Sequence, residues 1–390
     1  MKRIGVEERR ARIAVRQHTA MPHRARSVVE AARGVVCLHA SDPASVYLSA
    51  WARVDDLTID MVDRALYEDR ALVRMLAMRR TMFVVPREDA PILHAAASLA
   101  VARAEWKRTV KLVAELGVDN PEGWLEEAEA ATLAALERRG EATARELSGD
   151  VPALGRKVRV NIGKRYETDL GMSSRVLLLL GLEGRVVRGR PRGTWISSQY
   201  RWAPMRAWLG QALPYMPETD SRTEVVRRWL ARFGPGTEDD IRWWTGWGAG
   251  PVRAALEAVA AAEIDLAGER GFVLADDVDP TPAVDPWVAL LPSLDPTTMG
   301  WRARDWYLGG HKEALFDTSG NAGPTIWVDG RVVGGWAMRA NGEVVMKLLE
   351  DVGREARDAV GAEAGRLTEW LQAARVVPRF PTPLHNELIG

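Results

Sequence analysis

The segment GRVVRGRPRGTWISSQYRWAPMR, residues 184–206, decides the fold predicted for this chain. Two runs rich in β-branched and aromatic residues, 184–188 and 194–196, flank a Gly-Arg-Pro-Arg-Gly turn, which predicts a hairpin. An apolar stretch at 172–180 precedes this hairpin and is predicted to be a helix. The segment carries six arginines and no acidic residue. We therefore expect a basic hairpin directly after a helix.

The order of elements around this hairpin is that of a winged helix, in which helices are followed by a strand pair. Helices are predicted at 125–140, 141–147 and 172–180 before the basic hairpin. A second copy follows, with helices at 221–232, 238–246 and 251–261 and a hairpin at 263–274. A third copy is expected between residues 7 and 86. The fold class is therefore predicted to be α+β and helix-rich, with three tandem winged-helix motifs.

After Pro280 the sequence pattern predicts strands and turns instead of helices. An Asp-Gly dipeptide at 329–330 lies between two alternating runs and marks a hairpin. We expect a small C-terminal β-barrel or curved sheet, crossed by a helix at 350–374. The predicted domains are 1–120 (N-terminal winged-helix region), 121–215 (second winged helix with the basic hairpin), 216–280 (third winged helix) and 281–390 (barrel-like domain with a terminal helix).

The composition indicates a soluble protein with a large core. Of the 390 residues, 47% are hydrophobic, and the single cysteine, Cys37, lies in an apolar run. One cysteine excludes a disulfide framework and any cysteine-built zinc or iron-sulfur site, so we expect no metal and no cofactor. No apolar run has the length of a signal peptide or a membrane span, and the sequence therefore predicts a cytoplasmic protein without a membrane partner.

Basic residues are distributed unevenly, although the formal net charge is zero. The first 210 residues have an excess of basic side chains and the remainder an excess of acidic ones. Three segments, 9–29, 155–165 and 184–206, are rich in basic residues and contain no acid. Unpaired like charges repel each other unless a polyanion neutralises them, so we expect one face to bind nucleic acid. The candidate contacts are Arg24, Arg26, Lys157, Arg159, Lys164, Arg165, Arg188, Arg190, Arg192 and Arg201.

Five phrases of the sequence resemble one family, the AlkZ-type winged-helix DNA glycosylases known from resistance to azinomycin. The phrases are DPASVYLSAWARV (42–54), LVRMLAMRRTMFVV (72–85), GRVVRGRPRGTWISSQYRWAP (184–204), LLPSLDPTTMGWRARDWYLG (290–309) and FDTSGNAGPTIWVDGRVVGGW (316–336). The resemblance implies a C-shaped monomer of three winged helices and a small β-barrel, with a basic cleft for double-stranded DNA. It also implies hydrolysis of the N-glycosidic bond of alkylated purines, including bulky adducts and crosslinks.

The resemblance also points to a catalytic position. In the family, a Gln-apolar-Gln or Gln-apolar-Asp tripeptide lies just ahead of the Asp-Pro of the first phrase, and here it reads His39-Ala40-Ser41. We expect neutral His39 to accept a proton from the attacking water and Ser41 to orient that water. Asp42 either fixes the imidazole tautomer or caps the helix that follows.

The chemistry expected of these residues is modest. Alkylation at N7 makes guanine cationic and already a good leaving group, so the protein needs mainly to place a water against C1′ and stabilise the oxocarbenium-like charge. The sequence thus predicts a glycosylase for bulky N7-alkylguanine adducts, acting in DNA repair and self-resistance to a genotoxic antibiotic. It is expected to need no obligatory protein partner.

Two other functions remain open at this point. The first is a non-catalytic winged-helix protein that regulates transcription, because both polar positions of the catalytic tripeptide differ from those of the family. It would bind one DNA sequence tightly and yield no abasic product. The second is a protein that sequesters the free antibiotic rather than its DNA adduct.

Overall fold

The protein combines helices and small sheets in three segments of similar element order, followed by a larger sheet. The computed structural model describes residues 2–165 and 167–390. In that part of the chain, no helix has both the length and the apolar character required to cross a membrane. Most buried apolar side chains belong to one continuous core that joins the first and third segments to the C-terminal sheet.

The first segment contains a hairpin that periodicity did not locate. Its elements are β1 (Lys2–Arg3), α1 (Val6–Arg16), α2 (Val28–Gly34), β2 (Leu38–His39), α3 (Pro43–Trp51), α4 (Ile59–Asp63), β3 (Leu72–Leu76), β4 (Met82–Pro86), α5 (Ala90–Leu93) and α6 (Leu99–Ala114). Strands β3 and β4 form the hairpin, and β4 also pairs with β2, so the strand order is β2-β4-β3. The order from α2 to β4 is therefore helix, strand, helix, helix, hairpin.

The second segment repeats that order with one insertion. It contains α7 (Pro121–Arg139), β5 (Ala142–Thr143), α8 (Ala144–Asp150), β6 (Lys157–Val160), β7 (Thr168–Gly171), α9 (Met172–Leu182), β8 (Val186–Pro191), β9 (Tyr200–Pro204) and α10 (Met205–Leu209). The basic hairpin is present as β8 and β9, but its predicted return strand at 194–196 is wrong, because β9 starts at Tyr200. The inserted hairpin, β6 and β7, was not predicted.

The third segment agrees closely with the predicted elements. It contains α11 (Glu218–Phe233), α12 (Glu238–Thr245), α13 (Ala249–Ala258), β10 (Ala262–Leu266) and β11 (Glu269–Val273). Thr237 and Asp240 form a capping box at the start of α12. Strand β10 also pairs in parallel with β1, with Lys2 opposite Ile264, so the first described residues pack on this segment.

The C-terminal part is a four-stranded sheet, and of the two predicted alternatives, a β-barrel or a curved sheet, a closed barrel is not confirmed. It contains β12 (Val288–Leu291), α14 (Asp305–Leu308), α15 (Lys312–Leu315), β13 (Thr325–Val328), β14 (Arg331–Met338), β15 (Val344–Leu348), α16 (Gly353–Leu371) and α17 (Pro383–Ile389). The strand order β12-β13-β14-β15 leaves both outer strands as edges. Helices α16 and α17 pack against this sheet.

Helix α3 is attached to the C-terminal part by a buried ion pair. The guanidinium of Arg53, just after α3, binds the carboxylate of Asp295 through two bonds of 2.7 and 2.9 Å, and neither side chain is exposed to solvent. Ser49 of α3 donates a further bond of 2.6 Å to Asp295, and Thr297 accepts one of 2.8 Å from Arg53. All nine residues of α3 are buried. These contacts with the C-terminal part set the position of α3.

Replacing Asp295 with alanine is expected to lower the free energy of unfolding by about 3–5 kcal/mol, because Arg53 is then a buried charge without its counter-ion. Asp239→Ala is the control, since Asp239 is about half exposed and pairs with Arg242 and Arg302 at the surface. Its loss should cost less than about 1 kcal/mol. Urea unfolding measures the free energy of unfolding of both variants. Equal losses in the two variants would show that the buried pair does not hold α3 in place.

Candidate active site and nucleic-acid interface

A cleft of about 840 Å³ lies between the first and second segments, and its charged lining is entirely basic. This volume is within the range of roughly 300–1,000 Å³ typical of ligand pockets. Among the described residues, six arginines and no acidic side chain line it. The charged and polar lining residues are Ser41, Arg80, Thr143, Arg145, Ser173, Ser174, Arg175, Arg188, Arg192, Ser198, Gln199, Tyr200 and Arg379.

Ser41 reaches the cleft because a tight turn connects β2 to α3. Asp42 follows as the N-cap of α3, and its Oδ1 accepts the N–H of Ala44 at 3.1 Å. Its Oδ2 accepts the backbone N–H of Arg379 at 3.0 Å. Burial raises the pKa of Asp42, and these two backbone bonds oppose that effect. Asp42 therefore caps the helix, which is the second of the two roles that the sequence left open.

His39 lies beside this turn and is not among the residues that line the cleft. Its Nδ1 accepts the backbone N–H of Ser41 at 3.4 Å, and its ring meets Phe83 edge-on with 5.4 Å between the centroids. Burial, and secondarily the charge of Arg79, lowers the pKa of His39 to about 3. The imidazole is thus neutral at physiological pH, and the bond to Ser41 places its ring proton on Nε2. In this arrangement the ring supports the Ser41 backbone.

The three arginines of the basic hairpin face two different environments. Arg188 and Arg192 line the cleft, whereas Arg190 pairs with Asp63 and, at 3.5 Å, with Glu68 of the first segment. In a regular strand Arg188 and Arg190 would point the same way. The pairing of β8 with β9 shifts register after Arg188, and such irregularities redirect side chains.

The turn of the same hairpin is anchored to the protein rather than projecting freely. Trp195 packs on Tyr47 of α3, with 4.9 Å between ring centroids, and on Trp370 of α16, with 5.8 Å. The wall that carries Arg188 and Arg192 is therefore held by aromatic contacts to two other parts of the chain.

Two arginines of the cleft lining form ion pairs with one glutamate, Glu105, which is not itself part of the lining. Arg175 of α9 binds Glu105 of α6 at 2.6 Å, and Arg80 binds the other oxygen of Glu105 at 2.9 Å. Both guanidiniums lower the pKa of Glu105 against the opposing effect of burial, which keeps it ionised. One carboxylate between two arginines leaves this part of the lining with a net positive charge.

Arg188 is held by aromatic rings instead of carboxylates. Its guanidinium lies 5.0 Å from the ring centre of Trp202 and 5.4 Å from that of Tyr200. Burial lowers the pKa of Arg188 to about 10, so it is charged at neutral pH. No acidic side chain of the described chain forms an ion pair with Arg188, Arg192, Arg145 or Arg379, and this part of the cleft has an unneutralised charge.

The other predicted DNA contacts lie away from the cleft. Arg24 is largely buried and binds the Ala52 carbonyl, Asp55 and Glu363, and Arg201 pairs with Glu141. Arg26 is exposed at the start of α2, 3.9 Å from Glu30. The remaining four belong to the inserted hairpin and its turn: Lys157, Arg159, Lys164 and Arg165, of which Arg159 pairs with Glu167 and Asp169.

Sequence reasoning missed four of the six cleft arginines, namely Arg80, Arg145, Arg175 and Arg379. They come from the short 3-10 helix between β3 and β4, the first turn of α8, helix α9 and the C-terminal tail. Only Arg145 had a local signal, because the capping box of Thr143 and Glu146 places it at an exposed helix start. Within 2–165 and 167–390, no cluster of three His, Cys, Asp or Glu side chains has the geometry to hold a metal ion.

The depressed pKa of His39 predicts a pH-dependent stability. Below pH 6.5 the unfolded chain binds a proton at this position that the folded protein does not, so stability falls as the pH falls toward 3. His39→Gln removes this titration. The stability advantage of the unmodified protein over His39→Gln should therefore shrink by about 2 kcal/mol between pH 7.5 and pH 5. Urea unfolding at both pH values measures this difference, and a constant difference would contradict a neutral imidazole in the folded protein.

Comparison with known proteins agrees with the fold and the resemblance. The sequence matches the family described as DNA glycosylase AlkZ-like over residues 32–370. It is 26% identical over 220 residues to the "Interstrand DNA cross-link repair glycosylase" of Streptomyces sahachiroi, a match that covers 53% of this chain and 57% of that relative. The solved structure of the Streptomyces sahachiroi DNA glycosylase AlkZ has a TM-score of 0.74 at 20% identity, covering 95% of this chain and 98% of that chain. The chain therefore belongs to the AlkZ-like DNA glycosylase family.

Proposed function

We propose that this protein is a DNA glycosylase that hydrolyses the N-glycosidic bond of bulky N7-alkylguanine adducts in double-stranded DNA. The observation that carries the proposal is the cleft itself, in which Ser41 lies among arginines without an acidic neighbour in the lining. A surface of this kind attracts a polyanion, and its arginines repel one another when no polyanion is bound. Family membership supplies the class of reaction.

The proposed chemistry relies on positioning. The C1′–N9 bond breaks and the cationic base departs as a neutral N7-alkylguanine without being protonated. Ser41 contacts and orients the water that attacks C1′, and that water releases its proton to the solvent in the open cleft. His39 and Asp42 act as positioning residues, since one holds the Ser41 backbone N–H and the other caps α3 directly after it. The role proposed for His39 is therefore that of a positioning residue and not of the general base expected from the sequence, because its Nδ1 accepts the Ser41 N–H and its pKa of about 3 makes it a weak base.

The proposed substrates are bulky, and the proposed setting is repair and self-resistance. The curated relative is named as an interstrand crosslink repair glycosylase, and we extend crosslinks to this chain as candidate substrates. A cleft open to solvent accepts a large adduct at a lower steric cost than a tight base pocket. Excision would leave an abasic site for base excision repair and protect a cell that makes or meets a genotoxic antibiotic.

The architecture proposed for this function is modular. The three segments with helix, strand or bridge, helix, helix and hairpin are interpreted as winged helices at 1–120, 121–215 and 216–280, followed by the C-terminal domain at 281–390. We further propose that the protein acts in the cytoplasm as a monomer without an obligatory protein partner or a cofactor.

A non-catalytic DNA-binding regulator is the second candidate. It is favoured by the tripeptide His39-Ala40-Ser41, whose polar positions differ from those of the family, and by the position of His39 outside the cleft lining. The two candidates differ in product, because only a glycosylase yields abasic sites.

Incubation with a duplex carrying one defined N7-alkylguanine should yield an abasic site at that position, detected by strand scission after alkali. The matching undamaged duplex should stay intact, because neutral guanine is a poor leaving group. Binding of the damaged duplex without scission above the spontaneous rate would favour the regulator.

Ser41→Ala should slow excision by roughly 100-fold, the scale expected when a reacting group loses its positioning. Ser198→Ala is the matched control, because Ser198 is an exposed serine in the same cleft lining. Single-turnover rates separate this effect from binding. Equal rates for the two variants would remove Ser41 from the mechanism.

Arg192→Gln should reduce the slope of log K against log[salt] for duplex binding by about 0.9, the value for one lost phosphate contact. Arg190→Gln is the control from the same hairpin, since Arg190 is neutralised by Asp63 and Glu68. Its salt slope should be unchanged. If Arg190 and not Arg192 altered the slope, DNA would lie on the other side of the hairpin.

A further inference from the structure

The C-terminal tail brings a basic residue into the cleft from outside the family-matched range 32–370. Arg379 lies in the loop between α16 and α17 and lines the cleft together with Ser41 and Arg188. Its position follows from the packing of its neighbours, because Val376 and Pro378 are buried before it and Thr382 is buried after it. An exposed arginine on a tail anchored on both sides is held at a defined place.

Two hydrogen bonds connect Arg379 directly to the candidate catalytic turn. Its backbone N–H donates to Asp42 Oδ2 at 3.0 Å, and its Nη1 donates to the Ser41 carbonyl oxygen at 3.1 Å. The first bond involves only the backbone of Arg379 and is independent of its side chain. The second uses one guanidinium nitrogen and leaves the other terminal nitrogen for another acceptor.

Arg379 forms no ion pair within the described chain. The Asp42 carboxylate interacts with its charge only at longer range, and the oxygens of that carboxylate accept two backbone N–H groups. Arg188, which lines the same cleft, also has no acidic partner in the described chain, and its Nε is buried without a hydrogen bond. Two such cations that line one cleft repel each other. An anion bound between them attracts both, so the net interaction becomes favourable.

A third polar group is buried at the same place. The Tyr200 ring lies against Arg188, and its hydroxyl is buried without a hydrogen-bond partner among the described residues, in a side chain that is 8% exposed. A buried hydroxyl without a hydrogen-bond partner destabilises the protein, so a ligand that supplies an acceptor is favoured. Guanidiniums and a hydroxyl together are donors suited to phosphate oxygens.

We propose that Arg379 and Arg188, with Tyr200, bind the backbone phosphate adjacent to the damaged nucleotide, and that Arg379 thereby positions Ser41 against the sugar. Arg379 is a positioning residue in this scheme, because it acts on the reacting atoms through the Ser41 carbonyl. The inference rests on the proposed DNA substrate but not on catalysis. It gives the tail, which lies beyond the family-matched residues, a direct part in substrate recognition.

The test compares Arg379→Gln and Arg379→Lys in binding to undamaged duplex at a series of salt concentrations. Arg379→Gln should lower the salt slope by about 0.9, whereas Arg379→Lys should keep the slope of the unmodified protein because the charge remains. Arg354→Gln is the control, since Arg354 is 94% exposed on α16. Equal loss of slope in the Lys and Gln variants would indicate a structural role and overturn the proposal, as would an unchanged slope in Arg379→Gln.

A second measurement identifies the phosphate. Duplexes in which one phosphate next to an N7-alkylguanine is a neutral methylphosphonate should bind the unmodified protein about tenfold more weakly and react more slowly. In Arg379→Gln only Arg188 and Tyr200 remain to bind that phosphate, so the methylphosphonate should weaken binding clearly less than it does in the unmodified protein. If Arg379→Gln is as sensitive to the methylphosphonates on both sides of the lesion as the unmodified protein, the phosphate assignment is overturned. Absence of an abasic product would instead contradict the glycosylase proposal while leaving this binding result intact.

Discussion

The buried ion pair between Arg53 and Asp295 is the interaction on which the arrangement of the cleft depends. It joins the end of α3 to the segment after β12, 242 residues away along the chain. The same end of the sheet accepts a further bond, from Ser45 Oγ to the Ser293 carbonyl at 2.6 Å. A buried pair of this kind does little for net stability compared with an apolar contact, but it tolerates few alternative geometries. Its main effect here is to set the position of α3.

The cleft follows from that fixed helix. Ser41 comes just before α3, so its distance from the opposite wall is set by how α3, the basic hairpin and the tail pack together. Trp195 attaches the hairpin to α3 and α16, and Asp42 attaches the tail to the start of α3. Three parts of the chain that are remote in sequence therefore meet around one hydroxyl. The unneutralised arginines among them weaken the free protein by mutual repulsion, which is the expected cost of a surface that binds a polyanion.

The elements that local patterns determine were predicted well. Helical periodicity and the hairpin signals of the third segment correspond to α11 to β11, and the Asp-Gly pair at 329–330 does form the turn between β13 and β14. The return strand of the basic hairpin was misplaced because Trp195 and Ile196, although typical of strands, pack on the core from within the turn. The sequence left a barrel and a curved sheet open because strand patterns do not reveal whether a sheet closes or is covered by helices.

The cleft was predicted less well, for a physical reason. Runs of basic residues mark local charge, but ion pairs form between distant residues. Arg24, Arg190 and Arg201 look like DNA contacts in the sequence, yet carboxylates from elsewhere in the chain neutralise them. Arg175 and Arg379 occur singly in unremarkable segments, and only the tertiary fold brings them into the cleft.

The most direct test of the account is the affinity for a duplex that contains a cationic 1-azaribose, which mimics the oxocarbenium-like sugar. A glycosylase that uses this cleft should bind that duplex at least about 100-fold more tightly than one with a neutral abasic analogue. Hydrogen exchange in the complex should show protection at residues 39–43 and 376–380. Equal affinity for the two duplexes, or protection confined to other surfaces, would contradict the account.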